Sequence, residues 1–245
     1  MVSFTIRVAD RLVGVHAIHE STRSFCRDYL SEEEPEFRVE ITAADLRYER
    51  EKSEREDRIE GLPPRSFSDA YLETIALLRR ISERLFDYGT LLFHGSAVAV
   101  DGWAYLFTAK SGTGKSTHTR LWREQFGDRA VMINDDKPFL QIDGDRIIAW
   151  GSPWNGKHRL DTNAGVPLRG ICILERGEEN HIQRISPREA LFMLIQQSSR
   201  PAEPARMPRY MELIDGLAKG TSFYRLTCNM NPQAAQVSYH GMRNG

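Results

Sequence analysis

Ser111-Gly112-Thr113-Gly114-Lys115-Ser116-Thr117 is the stretch of this chain whose residue types point most directly to chemistry. Glycines at this spacing let successive backbone N–H groups turn toward phosphate oxygens, and a helix starting at Lys115 would add its positive N-terminal end. Lys115 is then placed to reach the β- and γ-phosphates of ATP, and the Ser116 hydroxyl to ligate Mg²⁺. Ala109 stands where the strictest form of this pattern has glycine. Further on, the apolar run Ala130-Val131-Met132-Ile133 ends in Asn134-Asp135-Asp136. An acidic residue at the end of a core strand near a phosphate loop is a Mg²⁺ ligand position. Two adjacent carboxylates permit a division of labour, one serving the metal while the other orients or deprotonates an attacking hydroxyl. The sequence leaves open which does which.

The elements that must hold these groups are legible around them. Residues 90–100 and 103–108 are apolar, β-favouring runs separated by Asp101-Gly102, a two-residue hairpin signal because both positions need positive φ. Pairing Val100 with Trp103 and counting outward puts His94 opposite Ala109, beside the phosphate site. A helix through Thr119-Arg120-Leu121-Trp122 should stop at Gly127. A second hairpin is expected from 139–142 and 146–150 around Asp143-Gly144. It returns the chain near Lys137, so the loop Gly151-Ser152-Pro153-Trp154-Asn155-Gly156-Lys157-His158 should begin close to the acidic pair. Lys157 is a candidate phosphate ligand there; Trp154 and His158 read as packing or surface residues.

Beyond this centre the chain divides into a small N-terminal α+β element, residues 1–62, and a P-loop kinase domain, residues 63–245. In the first, 4–8 and 37–41 alternate as strands, with a helix and an acidic loop between them. Residues 45–60 are so rich in charge that they read as a solvated helix or connector, with Glu51/Arg55 and Glu54/Arg58 spaced to pair. After Gly61-Leu62-Pro63-Pro64, Ser66 offers an N-cap to a helix whose core face is Tyr71, Ile75, Leu78, Ile81 and Leu85. Toward the C-terminus, 170–174 and 181–185 read as strands joined by a charged turn, and Ser186-Pro187-Arg188-Glu189 as a helix start. Residues 200–209, rich in proline, read as an exposed loop, and 223–228 as a last strand before a terminal helix.

These residues together resemble the catalytic domain of HPr kinase/phosphorylase, and more closely the shorter HPr-kinase-like proteins, some of which phosphorylate lasso-peptide precursors. The resemblance is carried by His94-Gly95, by Ser111-Gly112-Thr113-Gly114-Lys115-Ser116, by Asp135-Asp136, and by Pro167-Leu168-Arg169-Gly170-Ile171. Pro167 and Ile171 depart from the family's Arg-Gly element. The resemblance implies an α/β fold like that of phosphoenolpyruvate carboxykinase, a P-loop architecture with a mixed, largely antiparallel sheet. It also implies that His94 and the acidic pair activate the acceptor hydroxyl and that Arg169 stabilises the transferring phosphoryl group.

The function expected is therefore an ATP-dependent kinase, with Mg²⁺, that phosphorylates a serine hydroxyl of a protein or peptide. Two alternatives stay open: a kinase of a small hydroxyl-bearing metabolite, and a nucleotide-binding regulator without chemistry. A net charge of −1 and a pI near 6.7 argue against nucleic acid as the main partner. No run approaches the ~20 apolar residues that span a bilayer, so no membrane association is expected. Cys26, Cys172 and Cys228 are scattered and odd in number, which fits a reducing cytoplasm. Self-association into a homo-oligomer is left open.

Overall fold

The computed structural model describes residues 1–244, which form two compact units that divide after Arg84. In the first unit, β1 (Val2–Val8) and β2 (Arg11–Ala17) form a hairpin, and β3 (Leu30–Ser31) and β4 (Phe37–Glu40) flank it in the order β3-β1-β2-β4. Strand β2 was not expected, because its turn is Ala9-Asp10, two non-glycine residues at φ 50° and 58° that carry no glycine signal. A short helix, α1 (Glu20–Phe25), follows β2.

The charged stretch is α2 (Ala43–Glu60), started by a capping box between Thr42 and Asp45 and ended by Gly61 at φ 67°. It is more than a solvated helix. Asp45 and Glu49 are buried and converge on Arg79 of α3 (Asp69–Leu85), at 2.9 and 2.6 Å, and Arg80 adds a second contact to Asp45 at 2.9 Å. Burial alone would raise the Asp45 pKa, but the bonds from Arg80, Thr42 and Arg79 outweigh it and hold it at about 2. Helix α3 starts later than expected, capped by Ser68, whose hydroxyl accepts the Tyr71 N–H. Tyr71 is exposed and stacks on Phe67 instead of joining the core. The buried Glu73 of α3 accepts hydrogen bonds from the Ile18 and His19 N–H groups and the Thr22 hydroxyl. These bonds tie α3 to the end of β2 and to α1, and the units divide after Arg84 and not at the Pro63-Pro64 break.

The second unit is a mixed α/β domain. Its strands are β5 (Thr90–Leu92), β6 (Ser96–Val100), β7 (Trp103–Thr108), β8 (Ala130–Asn134), β9 (Phe139–Asp143), β10 (Arg146–Trp150), β11 (Gly165–Arg176), β12 (His181–Ile185) and β13 (Ser222–Cys228). Their order is β5-β9-β10-β11-β7-β6-β8, and β13 pairs with β11 and β12. β7, β11 and β13 run parallel, and the remaining pairs are antiparallel. The long β11 changes neighbours along its length: its first residues pair with β10, while its later ones pair with β13. β11 and β12 do not form the hairpin their charged turn suggested, because β13 lies between them.

Alternation along the central strands fills two cores. Leu106, Ile171, Ile173 and Phe223 face one way, in a cluster with Ala190 and Leu194 of α5 (Pro187–Gln197) and Leu217 of α6 (Met207–Gly220). Tyr105, Phe107, Cys172 and Tyr224 face the other, against Trp122 of α4 (Lys115–Phe126) and Tyr239 and Met242 of α7 (Gln233–Asn244). The proline-rich stretch is partly helical, since α6 already begins at Met207. Among the described residues, no helix is long and apolar enough to cross a membrane.

Candidate phosphate-binding site

The first hairpin has the counted register: Val100 pairs with Trp103 and Ser96 with Phe107, around Asp101 at φ 53° and Gly102 at φ 80°. The ladder ends at Ser96, but the chain continues alongside, and the Thr108 hydroxyl donates to the His94 carbonyl at 3.0 Å. Residues 109–114 therefore leave the end of β7 next to His94 and enter α4 at Lys115. Gly114, at φ 123°, is the N-cap of α4, a conformation that a side chain at this position would oppose. The Lys115 ammonium folds back to the Ala109 carbonyl at 3.3 Å. Burial lowers its pKa, Asp136 and Asp135 oppose that, Lys137 adds to it, and the net shift is downward. Ser111 and Gly112 are exposed at the rim, and Ser116 and Thr117 are half-buried in the first turn of the helix.

The acidic pair sits at the end of β8, and its two members differ sharply. Asp135 is buried; its Oδ1 accepts from the Ser96 hydroxyl at 2.9 Å, and Ser96 in turn meets the Thr119 hydroxyl of α4 at 2.8 Å. Its Oδ2 is also buried and has no hydrogen-bond partner among the described residues. Asp136 is half-buried, 3.2 Å from His94 Nε2 and 3.8 Å from Lys137 Nζ. Burial works to raise its pKa, but the His94 hydrogen bond and the positive charges of Lys137, His94 and Lys115 prevail and hold it below the ordinary carboxylate value. The structure thus brings His94, Lys115, Asp135 and Asp136 together.

Three residues without a motif shape this turn. Asn134 is fully buried; its side-chain Oδ1 accepts from the Asp136 and Lys137 N–H groups at 2.8 and 2.6 Å. Its amide donates to the Ser152 carbonyl at 2.9 Å, and Ser152 donates to the Lys137 carbonyl at 2.7 Å. Gly156 lies against the carboxylate: a Cβ there would stand 2.9 Å from Asp135 Oδ2. The second hairpin does return the chain to this point, although its turn is Gly144-Asp145, one residue later than expected, with Asp143 paired to Arg146. Trp154 is buried, while Lys157 and His158 are exposed beside Gly156.

Arg169 is not at this site. It belongs to the early part of β11, level with the start of β7 (Leu168 pairs with Ala104), whereas the phosphate loop follows the end of β7. Its guanidinium lies over Trp103, 5.5 Å from the ring centre, and donates to the Arg243 carbonyl at 2.7 Å. The guanidinium that does meet the loop is Arg176, at the far end of the same strand, donating to the carbonyls of Gly112 and Thr113. Its position on a strand parallel to β7 was the only clue, and that pairing could not be read from sequence.

Among the described residues, no three His, Cys, Asp or Glu side chains are grouped to hold a metal. Mg²⁺ beside a bound triphosphate needs fewer protein ligands, because phosphates and water supply the others. The unpartnered Asp135 Oδ2 and the Ser116 hydroxyl in the first turn of α4 are donors of the type such a site uses.

No protein-family model matches this chain, and no curated protein matches it. Among solved structures it is similar to the Hpr(Ser) kinase/phosphatase from Coxiella burnetii, with 12% identity over 62% of this chain and 94% of that one, at a TM-score of 0.34. At that level of likeness the functional reading rests on the site itself.

Proposed function

We propose that this chain is an ATP-dependent kinase that transfers the γ-phosphoryl group to a serine hydroxyl of a protein or peptide. The observation that carries this reading is the pairing of Asp136 with His94 at 3.2 Å beside the buried Lys115. A nucleotide-binding regulator needs the loop and lysine but has no use for a carboxylate–imidazole pair at the same place. Of the residues that carry the resemblance to HPr-kinase-like proteins, His94, the phosphate loop and the acidic pair support the same reading.

The unlike environments of the two carboxylates suggest a division of labour. Asp135, buried and held by Ser96, would serve with Ser116 as a Mg²⁺ ligand. Mg²⁺, when bound, would neutralise charge on the β- and γ-phosphates. Asp136, ionised at neutral pH and held by His94, would accept the hydrogen bond of the acceptor hydroxyl and then its proton. Phosphoryl transfer asks more for orientation than for basicity, so a carboxylate with a depressed pKa suits the role. Lys115 would hold the phosphate oxygens, and the loop N–H groups would complete the cradle. Arg176, which donates to the Gly112 and Thr113 carbonyls, would fix the shape of the loop.

A serine acceptor on a polypeptide is the most specific part of this reading. Incubating the protein with γ-labelled ATP, Mg²⁺ and the purified products of neighbouring genes tests it. Label on a serine of one of those polypeptides is the expected result. Label on a small molecule would replace the acceptor class, and ATP bound without transfer to any acceptor or to water would overturn the kinase reading.

A further inference from the structure

The start of the parallel strands, at the other end of the sheet from the phosphate loop, holds a cavity of about 650 Å³. That volume lies within the ~300–1,000 Å³ range of small-molecule sites. Its wall brings together Trp103, Arg146, Arg169, Arg184 and Lys219 with a single acid, Asp145. Lys219 is neutralised by Asp215 at 2.6 Å. The three guanidiniums are not ion-paired among the described residues: Arg169 is spent on a carbonyl and the Trp103 face, Arg184 on the Ser222 hydroxyl at 3.2 Å, and Arg146 has no partner.

Two of these forks are thereby held in place, and Arg146 opens β10 directly after the Gly144-Asp145 turn. Asp145 and the C-terminal end of α6, worth about −0.5 charge, leave roughly +1.5 uncompensated. The cavity also contains Thr221, whose buried hydroxyl has no hydrogen-bond partner among the described residues. Like charges lining one hollow next to an unused hydroxyl favour an anion that joins them.

We infer that this cavity is a second anion site, taking a small, multiply charged oxyanion such as a phosphate ester or a polycarboxylate. It is separate from the nucleotide site. Arg169 and Arg176 are seven positions apart on one strand, which is about 20 Å. The cavity also lacks the glycine loop and acidic pair that a Mg²⁺–triphosphate needs.

Calorimetric titration of pyrophosphate and of citrate into full-length Lys115→Ala protein tests this, because that variant removes the phosphate loop's ammonium from competition. The same titrations into the unsubstituted protein saturated with ADP serve if the variant does not fold. Binding of one or both anions is expected, and which one binds separates phosphoryl from carboxylate ligands. Arg146→Gln and Arg184→Gln should each weaken that binding roughly tenfold with the melting temperature unchanged. Absence of binding by both anions, or binding indifferent to both arginine substitutions, would overturn the site.

Discussion

The two ends of the parallel pair β7 and β11 use arginine in opposite ways. Where the strands end, Arg176 donates to the carbonyls of Gly112 and Thr113 in a glycine-rich loop. Where the strands begin, Arg169 stacks on Trp103, bonds to a helix-terminal carbonyl, and shares a cavity with two other unpaired guanidiniums. One end is organised by backbone geometry and the other by side-chain charge. Strand direction decides between them, because loops leaving the C-terminal ends of parallel strands lead into helix N-termini, whose partial positive charge favours phosphate. An Arg-Gly pair read as a motif has no such direction until its strand is placed.

Substitutions should separate the two ends. The largest effect is expected from Lys115→Ala, which should weaken ATP binding on the order of a hundredfold in a titration. Lys219→Ala, at the other end, should leave it unchanged. Arg176→Gln should lower kcat/KM about tenfold, with partial rescue by Lys, while Arg169→Gln changes it less than about twofold. Equal losses in the two arginine variants would erase the distinction drawn here.

Asn134→Ala should cost about 2–4 kcal/mol in chemical denaturation, since it strips the acceptor from two N–H groups in the Asp135-Asp136 turn. The smallest effects concern pH. The folded-state pKa of Asp136 is depressed, so its stabilisation is full above the unfolded carboxylate pKa and is lost as pH falls through the folded value. Asp45 behaves likewise between the ordinary 3.8 and about 2, and Asp45→Asn should flatten the acid side of the stability profile over that window.

Much of the phosphate-site end was legible in the sequence because local rules govern it. The Asp101-Gly102 turn fixed the register that brings His94 to Thr108, and the glycine spacing located the loop. The acidic pair followed from an apolar run that stops. What could not be read depends on distant pairing. Parallel β7–β11 contact, which puts Arg176 at the loop and carries Arg169 away, leaves no trace in local periodicity. Neither does the interposition of β13 between β11 and β12. Asn134 and Ser152 look like ordinary polar residues until their burial is known, and Ala9-Asp10 lacks the glycine that would have announced the first hairpin.

The central claim is that Asp136 activates an acceptor for a phosphoryl group held by Lys115. Its most direct test is Asp136→Asn, with ATP affinity and single-turnover loss of the γ-phosphoryl group measured on the same preparation. The account predicts affinity within a few-fold of the unsubstituted protein and transfer slowed about a thousandfold. Transfer at the unsubstituted rate would contradict it.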